Sequence, residues 1–223
     1  MPASPSRIAL LAGTTGLIGR ALLPLLIESP TYARVHALLR RPAPSLSTSD
    51  KLALHTVDFN ALPPLPHVDD VFIALGTTIK VAGSEAAFRH VDFDAVVNTA
   101  RAARSAGATR LAVVSALGAD ANSRIFYNRV KGEMQQAISQ LGYASVVIAQ
   151  PSLLVGDRSA LGQPTRPGEV WVARLLGPVM GLVPASVRPI AAATVAHALL
   201  RALHEDRPGV RLLRSGQMQA MPG

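Results

Sequence analysis

Cysteine is missing from the chain, and with it go disulfides, thiolate metal sites and a cysteine nucleophile. The six histidines are scattered, and no His-x-x-x-His pair offers the ligand spacing of a transition-metal centre. Aromatic residues make up only 4% of the 223 residues, so platforms for stacking single-stranded bases are scarce. Charge is sparse at 16%, and acids are the scarcer sign, 14 against 22 Lys+Arg, for a net charge of +8. That surplus is spread singly or in pairs, with no run of five or more. It reads as an arginine-rich surface that attracts a phosphorylated cofactor or anionic substrate, and nucleic acid is not the expected partner. No apolar run reaches about 18 residues, so nothing is expected to span a membrane. The N-terminal apolar stretch breaks at Gly13, too early for a signal-peptide core, and a cytoplasmic location is the expectation.

What the chain does have is hydrophobic residues, 49% of the total, enough for a sizeable core. Strand-like apolar runs lie at residues 7–12, 34–39, 52–57, 71–75, 110–115 and 144–149. Helical segments lie between most of them, one of them at about 123–141. A proline- and serine-rich loop occupies 41–50. Alternation of this kind predicts an α/β fold, a doubly wound parallel sheet (Rossmann fold) with a small C-terminal α/β extension. The whole chain, 1–223, reads as one domain, with a core over about 7–150 and a substrate-side extension over about 151–223. In that extension a loop covers 151–168, helices are expected at 169–180 and 194–204, and a short strand at 210–213. Pro24 falls inside the first helix, where a kink is expected.

The first strand runs into Gly13-Thr14-Thr15-Gly16-Leu17-Ile18-Gly19 and then a helix. Gly13 lets the chain turn, Gly16 lets the backbone approach a pyrophosphate, and Gly19 lets helix and strand pack closely. The helix N-terminus, with free N–H groups and a positive dipole end, then faces the anion. After the second strand stand Arg40 and Arg41, where an NAD site usually carries an acid. Two guanidinium forks suit the 2′-phosphate of NADP, so NADP(H) is preferred and NAD(H) is the lesser option. Asp58 and Phe59 follow the third strand, either to meet the adenine or as plain turn residues. Leu75 ends the fourth strand, and Gly76 and Thr77 after it allow close approach of the cofactor ribose. Pro151 either walls the nicotinamide or simply ends the sixth strand.

Tyr127 and Lys131 are one helical turn apart in Tyr127-Asn128-Arg129-Val130-Lys131, and Ser115 closes the fifth strand. A phenol with a cation beside it is drawn toward useful acid–base chemistry at neutral pH, and a nearby serine can hold the substrate oxygen. This set, with the glycine turn, resembles the short-chain dehydrogenase/reductase superfamily, most closely its small atypical branch of Tat-interacting-protein-like and epimerase-like NAD(P)-binding proteins. The resemblance covers roughly residues 7–156 and, more weakly, 187–203. It implies that Tyr127 donates and accepts the proton, that Lys131 lowers the tyrosine pKa and binds the nicotinamide ribose, and that Ser115 orients a carbonyl. It also implies that Gly13, Thr15, Gly16, Leu17, Ile18 and Gly19 hold the pyrophosphate, and Arg40 and Arg41 the 2′-phosphate. Many relatives carry Asn in the segment that here reads Val91-Asp92-Phe93-Asp94, so no relay role transfers to Asp92.

Two functions follow as expectations. One is an NADP(H)-dependent oxidoreductase acting on a small, apolar carbonyl or alcohol substrate, with Leu153, Leu154, Trp171, Leu175 and Met180 as candidate walls. The other is a catalytically silent NADPH-sensing protein that regulates a partner. The oligomeric state is left open.

Overall fold

Short apolar runs become strands because their side chains are buried on both faces of one sheet, as a parallel sheet demands. The computed structural model describes residues 6–43, 46, 49–156 and 184–221. Its strands are β1 (Arg7–Ala12), β2 (Tyr32–Leu39), β3 (Leu52–Thr56), β4 (Asp70–Ile73), β5 (Arg110–Val114), β6 (Ser145–Gln150), β7 (Leu154–Val155), β8 (Ile190–Ala191) and β9 (Gly209–Arg214). Seven of them form one sheet in the order β3-β2-β1-β4-β5-β6-β9, every neighbouring pair parallel. The C-terminal segment therefore extends the main sheet through β9. A separate two-stranded ladder joins β7 to β8.

Helix α1 (Leu17–Glu28) and helix α6 (Ala192–His204) cover one face, where Leu22, Leu26, Val195 and Leu199 bury against Leu11 and Val147. Helices α4 (Ala95–Ser105) and α5 (Phe126–Ser139) cover the other, with Val96, Met134 and Ile138 packed on Leu10, Ile73 and Val113. This is the expected doubly wound α/β arrangement, with the strand order reversing between β1 and β4. Helix α1 continues through Pro24, which faces solvent beside the equally exposed Arg20. Water can satisfy the carbonyl that the proline ring leaves without a partner.

Departures from the sequence expectations have local causes. β2 begins at Tyr32 because that ring is buried and its hydroxyl donates to Asp70 at 2.8 Å. β4 stops at Ile73 because the glycine turn after β1 packs directly on the Ala74 backbone. Beyond it, Thr78 caps a short helix, α2 (Ile79–Ala82), by accepting from the Val81 N–H at 3.2 Å. Residues 85–105 form one continuous helical run: α3 (Glu85–Arg89), a π-helical turn (His90–Asp94) and α4. The expected helix at 169–180 and the candidate walls Trp171, Leu175 and Met180 lie outside the described residues, as does most of the 151–168 loop.

At the amino ends of the strands a charge network ties the sheet together. Asp70, fully buried, accepts from the Arg110 Nε at 2.5 Å as well as from Tyr32, and the Tyr32 hydroxyl in turn lies 3.0 Å from His204 Nε2. Burial, then the Asp70 charge, pushes the Tyr32 phenol well above its ordinary range, so it stays a donor. This network leaves the opposite edge of the sheet for the site.

Candidate functional site

A cleft of about 570 Å³ opens at the carboxyl ends of β1, β4, β5 and β6. That is where an open α/β sheet places its ligands, and the volume lies in the range of small-molecule and cofactor sites. Gly16, Leu17, Ile18, Leu75, Gly76, Thr77, Ser115, Tyr127, Lys131 and Pro151, all expected from sequence to act together, line this one cleft.

The turn after β1 is built as a dinucleotide cradle. Gly13 has φ +95°, and a Cβ there would lie 2.5 Å from the Ala74 carbonyl. A Cβ on Gly19 would stand 2.0 Å from the Gly13 oxygen, so helix α1 can sit on the turn only with glycine at that position. Gly13 and Gly19 thus shape the cradle from behind, while Gly16, Leu17 and Ile18 face the cleft. No side chain caps the start of α1, so its first N–H groups remain for an anion. Thr15 is exposed on the rim of the turn. These features fit the pyrophosphate of a dinucleotide.

Arg40 and Arg41 are both exposed, just past the end of β2 and beside the β1 turn in the sheet order. Asp58 is also exposed, and its carboxylate accepts from the Asn60 N–H at 2.9 Å, the turn-residue geometry. Phe59 packs partly buried on the core, and its carbonyl accepts from Asn98 at 3.3 Å. None of these four residues lines the cleft itself.

Helix α5 carries the chemistry on one face. Tyr127, Lys131 and Gln135 recur every four residues, so their side chains stack along the side turned to β5 and the π-helical turn. The Tyr127 ring leans on Phe88, centroids 5.2 Å apart. The Lys131 ammonium lies 2.7 Å from Asp92 Oδ1, with side-chain exposures of 4% and 0%. Asp92 Oδ2 accepts from the Thr77 N–H at 2.9 Å. One buried carboxylate therefore joins the loop after β4 to the cleft lysine. Ser115, 4% exposed at the end of β5, accepts from Gln135 Nε2 at 2.6 Å, and Gln135 Oε1 accepts from Gln150 Nε2 at 3.3 Å.

Asp92, Gln135 and Gln150 are among the site residues that sequence reasoning missed. Gln135 carried a signal, standing at the next i+4 step after Tyr127 and Lys131. Asp92 carried a fainter one: an acid at i+4 spacing between Phe88 and Val96, both fully buried. The π-helical turn holds it inward, a device that recurs at functional sites.

Comparison with known proteins agrees with this geometry. The NAD(P)H-binding family model matches residues 13–153. The protein fmp52, mitochondrial, of Emericella nidulans is 33% identical over 189 residues, covering 80% of this chain and 78% of that protein. Relatives from Coccidioides immitis and Aspergillus fumigatus bear the same mitochondrial name. Among solved structures, MoeE5 in complex with UDP-glucose and NAD superposes with a TM-score of 0.67 at 18% identity, over 92% of this chain and 74% of that one. The oxidoreductase ylbE from Lactococcus lactis gives a TM-score of 0.65 at 16% identity, over 96% of both chains. At these identities the structures establish the fold alone, a doubly wound α/β sheet of the Rossmann type.

The mitochondrial names overturn the expected cytoplasmic location. That expectation rested on the lack of a membrane-spanning run and of a secretory core. Both test insertion and secretion, and neither bears on import into an organelle.

Proposed function

The chain belongs to the NAD(P)H-binding family, and from that premise we propose that it is an NADP(H)-dependent oxidoreductase of the atypical short-chain dehydrogenase/reductase type, interconverting a carbonyl and an alcohol. The observation that carries this reading is the convergence of Ser115, Tyr127 and Lys131 on the cleft that the glycine turn also lines. Bound NADP(H) supplies the hydride in reduction and takes it back in oxidation.

The chain's own residues bind, orient and move the proton. The amides at the start of α1 hold the pyrophosphate, with Thr15 on the rim, and Gly76 and Thr77 admit the ribose. Lys131, fixed by Asp92, offers its ammonium to a ribose hydroxyl. Ser115 hydrogen-bonds the substrate oxygen and holds it near the phenol. Tyr127 gives that oxygen its proton in reduction and removes it in oxidation. Pro151 and Leu75 wall the nicotinamide side. Arg40 and Arg41 favour NADP(H) over NAD(H).

A small, apolar carbonyl compound suits the outer cleft. Val81, Leu117 and Leu153 line it and are exposed by 64%, 39% and 37%, which is unusual for large apolar side chains without a partner to cover. NADPH consumption across a panel of apolar aldehydes and ketones tests the reading, with Tyr127→Phe as the control variant. Turnover by the native protein and its loss in the variant is the expected result; equal turnover by both would sink the assignment.

One observation favours a second reading, a cofactor sensor without turnover. The lysine that would act on the phenol is engaged by Asp92 instead. Tight NADPH binding with no consumption of any carbonyl in the panel would select it.

A further inference from the structure

Ser115 has one hydroxyl proton, and its direction decides what kind of oxygen the cleft receives. A serine oxygen can accept two hydrogen bonds and donate one. Its backbone N–H is already spent on the Ala149 carbonyl at 2.8 Å. The Gln135 Nε2 donates to its Oγ at 2.6 Å, and Gln135 Oε1 accepts from Gln150 Nε2 at 3.3 Å. The oxygen end of Gln135 thus faces Gln150, and the nitrogen end faces the serine. Gln150 is only 8% exposed and Gln135 is half-buried, and a mismatched pair of donors beside a buried amide is costly.

We propose that Gln135 is a positioning residue which, by donating to Ser115, turns the serine proton into the cleft and makes the site selective for an oxygen that accepts hydrogen bonds. Gln150 donates to Gln135, Gln135 donates to Ser115, and Ser115 is left to donate to the ligand. Together with the Tyr127 hydroxyl this aims two donors into one cleft. That arrangement suits a carbonyl oxygen and the negative charge that grows on it as hydride arrives at the carbon. With the amide reversed, Ser115 would spend its proton on Gln135 and offer the cleft an acceptor, which suits an alcohol. The functional consequence rests on the oxidoreductase reading above; the direction of the proton does not.

Neutron diffraction from deuterium-exchanged crystals of the native protein tests the proposal. Nuclear density is expected to place two deuterons on the Gln135 nitrogen facing Ser115, with the serine deuteron directed into the cleft. A deuteron lying between Ser115 Oγ and Gln135 would overturn it. Gln135→Glu presents acceptors alone and should draw the serine deuteron out of the cleft. With any carbonyl the native protein reduces, this variant should lower kcat by roughly a hundredfold, the scale of losing one preorganised donor. Its KM for NADPH should stay within about twofold, since Gln135 does not line the cleft. A kcat equal to native would also overturn the proposal. Should no carbonyl be reduced, the oxidoreductase reading fails, while the native neutron map still decides the direction of the proton.

Discussion

Removing the carboxylate of Asp92 strands a buried ammonium. The Lys131 side chain is 4% exposed, and the 2.7 Å contact with Asp92 is its ion pair. Breaking such a pair from one side costs about 3–5 kcal/mol, because the remaining charge keeps its desolvation and loses its partner. The Thr77 N–H that Asp92 also accepts is only half-buried, so water can replace that bond at little cost. For a chain of this size about 2–4 °C of melting temperature goes with each kcal/mol, so Asp92→Ala should melt some 6–20 °C lower. Replacing both partners tells a different story. Asp92→Ala with Lys131→Met leaves no charge to bury and should recover most of the loss, since apolar replacement of a buried pair is often near neutral. The assay is urea unfolding of the native protein, both single variants and the double variant, read as a thermodynamic cycle. A cost below about 1 kcal/mol for Asp92→Ala, or a double variant no more stable than the single, would refute the reasoning.

Three further outcomes follow from other parts of the molecule. Arg40→Ala with Arg41→Ala should weaken NADPH binding while leaving NADH within about twofold. Each charge-assisted bond to phosphate is worth about 1.5–3 kcal/mol, but both side chains are exposed and screened, so roughly tenfold is expected by fluorescence titration. Equal losses for both cofactors would point away from the 2′-phosphate. Burial lowers the pKa of both His36 and His204, with His55 and Arg34 adding to the first and Arg7 and Arg110 to the second, while Asp70 opposes it at His204. Below the ordinary histidine value of about 6.5 the unfolded chain therefore binds more protons than the native one, and stability should fall as pH drops from 7 toward 5. His204→Phe should flatten that slope in urea titrations; an unchanged slope would assign it to other groups.

Most of the sheet was legible because a strand buried on both faces leaves an unbroken apolar run, as in Ile8–Ala12 and Val146–Ala149. The glycine turn was legible because Gly13 and Gly19 meet the backbone so closely that no other residue fits. Tyr127 and Lys131 were legible because helical spacing is local. What stayed hidden depended on contacts between distant segments. Asp92 meets Lys131 only because a π-helical turn aims it inward and α5 packs beside it, 39 residues along the chain. Gln135 meets Ser115 across 20 residues. The β7–β8 ladder is too short to show any period, and α2 rests on one capping hydroxyl at Thr78. Asp58 was read as adenine contact or turn residue, and its hydrogen bond to Asn60 displays the turn. Location was beyond the reach of hydropathy altogether.

Transfer of deuterium from stereospecifically labelled NADPH tests the central claim most directly. The native protein, given an apolar carbonyl it reduces, should place the label on the carbinol carbon of the product. Tyr127→Phe should bind NADPH within a few-fold of native and transfer none. Label transfer by the variant at the native rate, or its absence in the native protein across the carbonyl panel, would contradict the account.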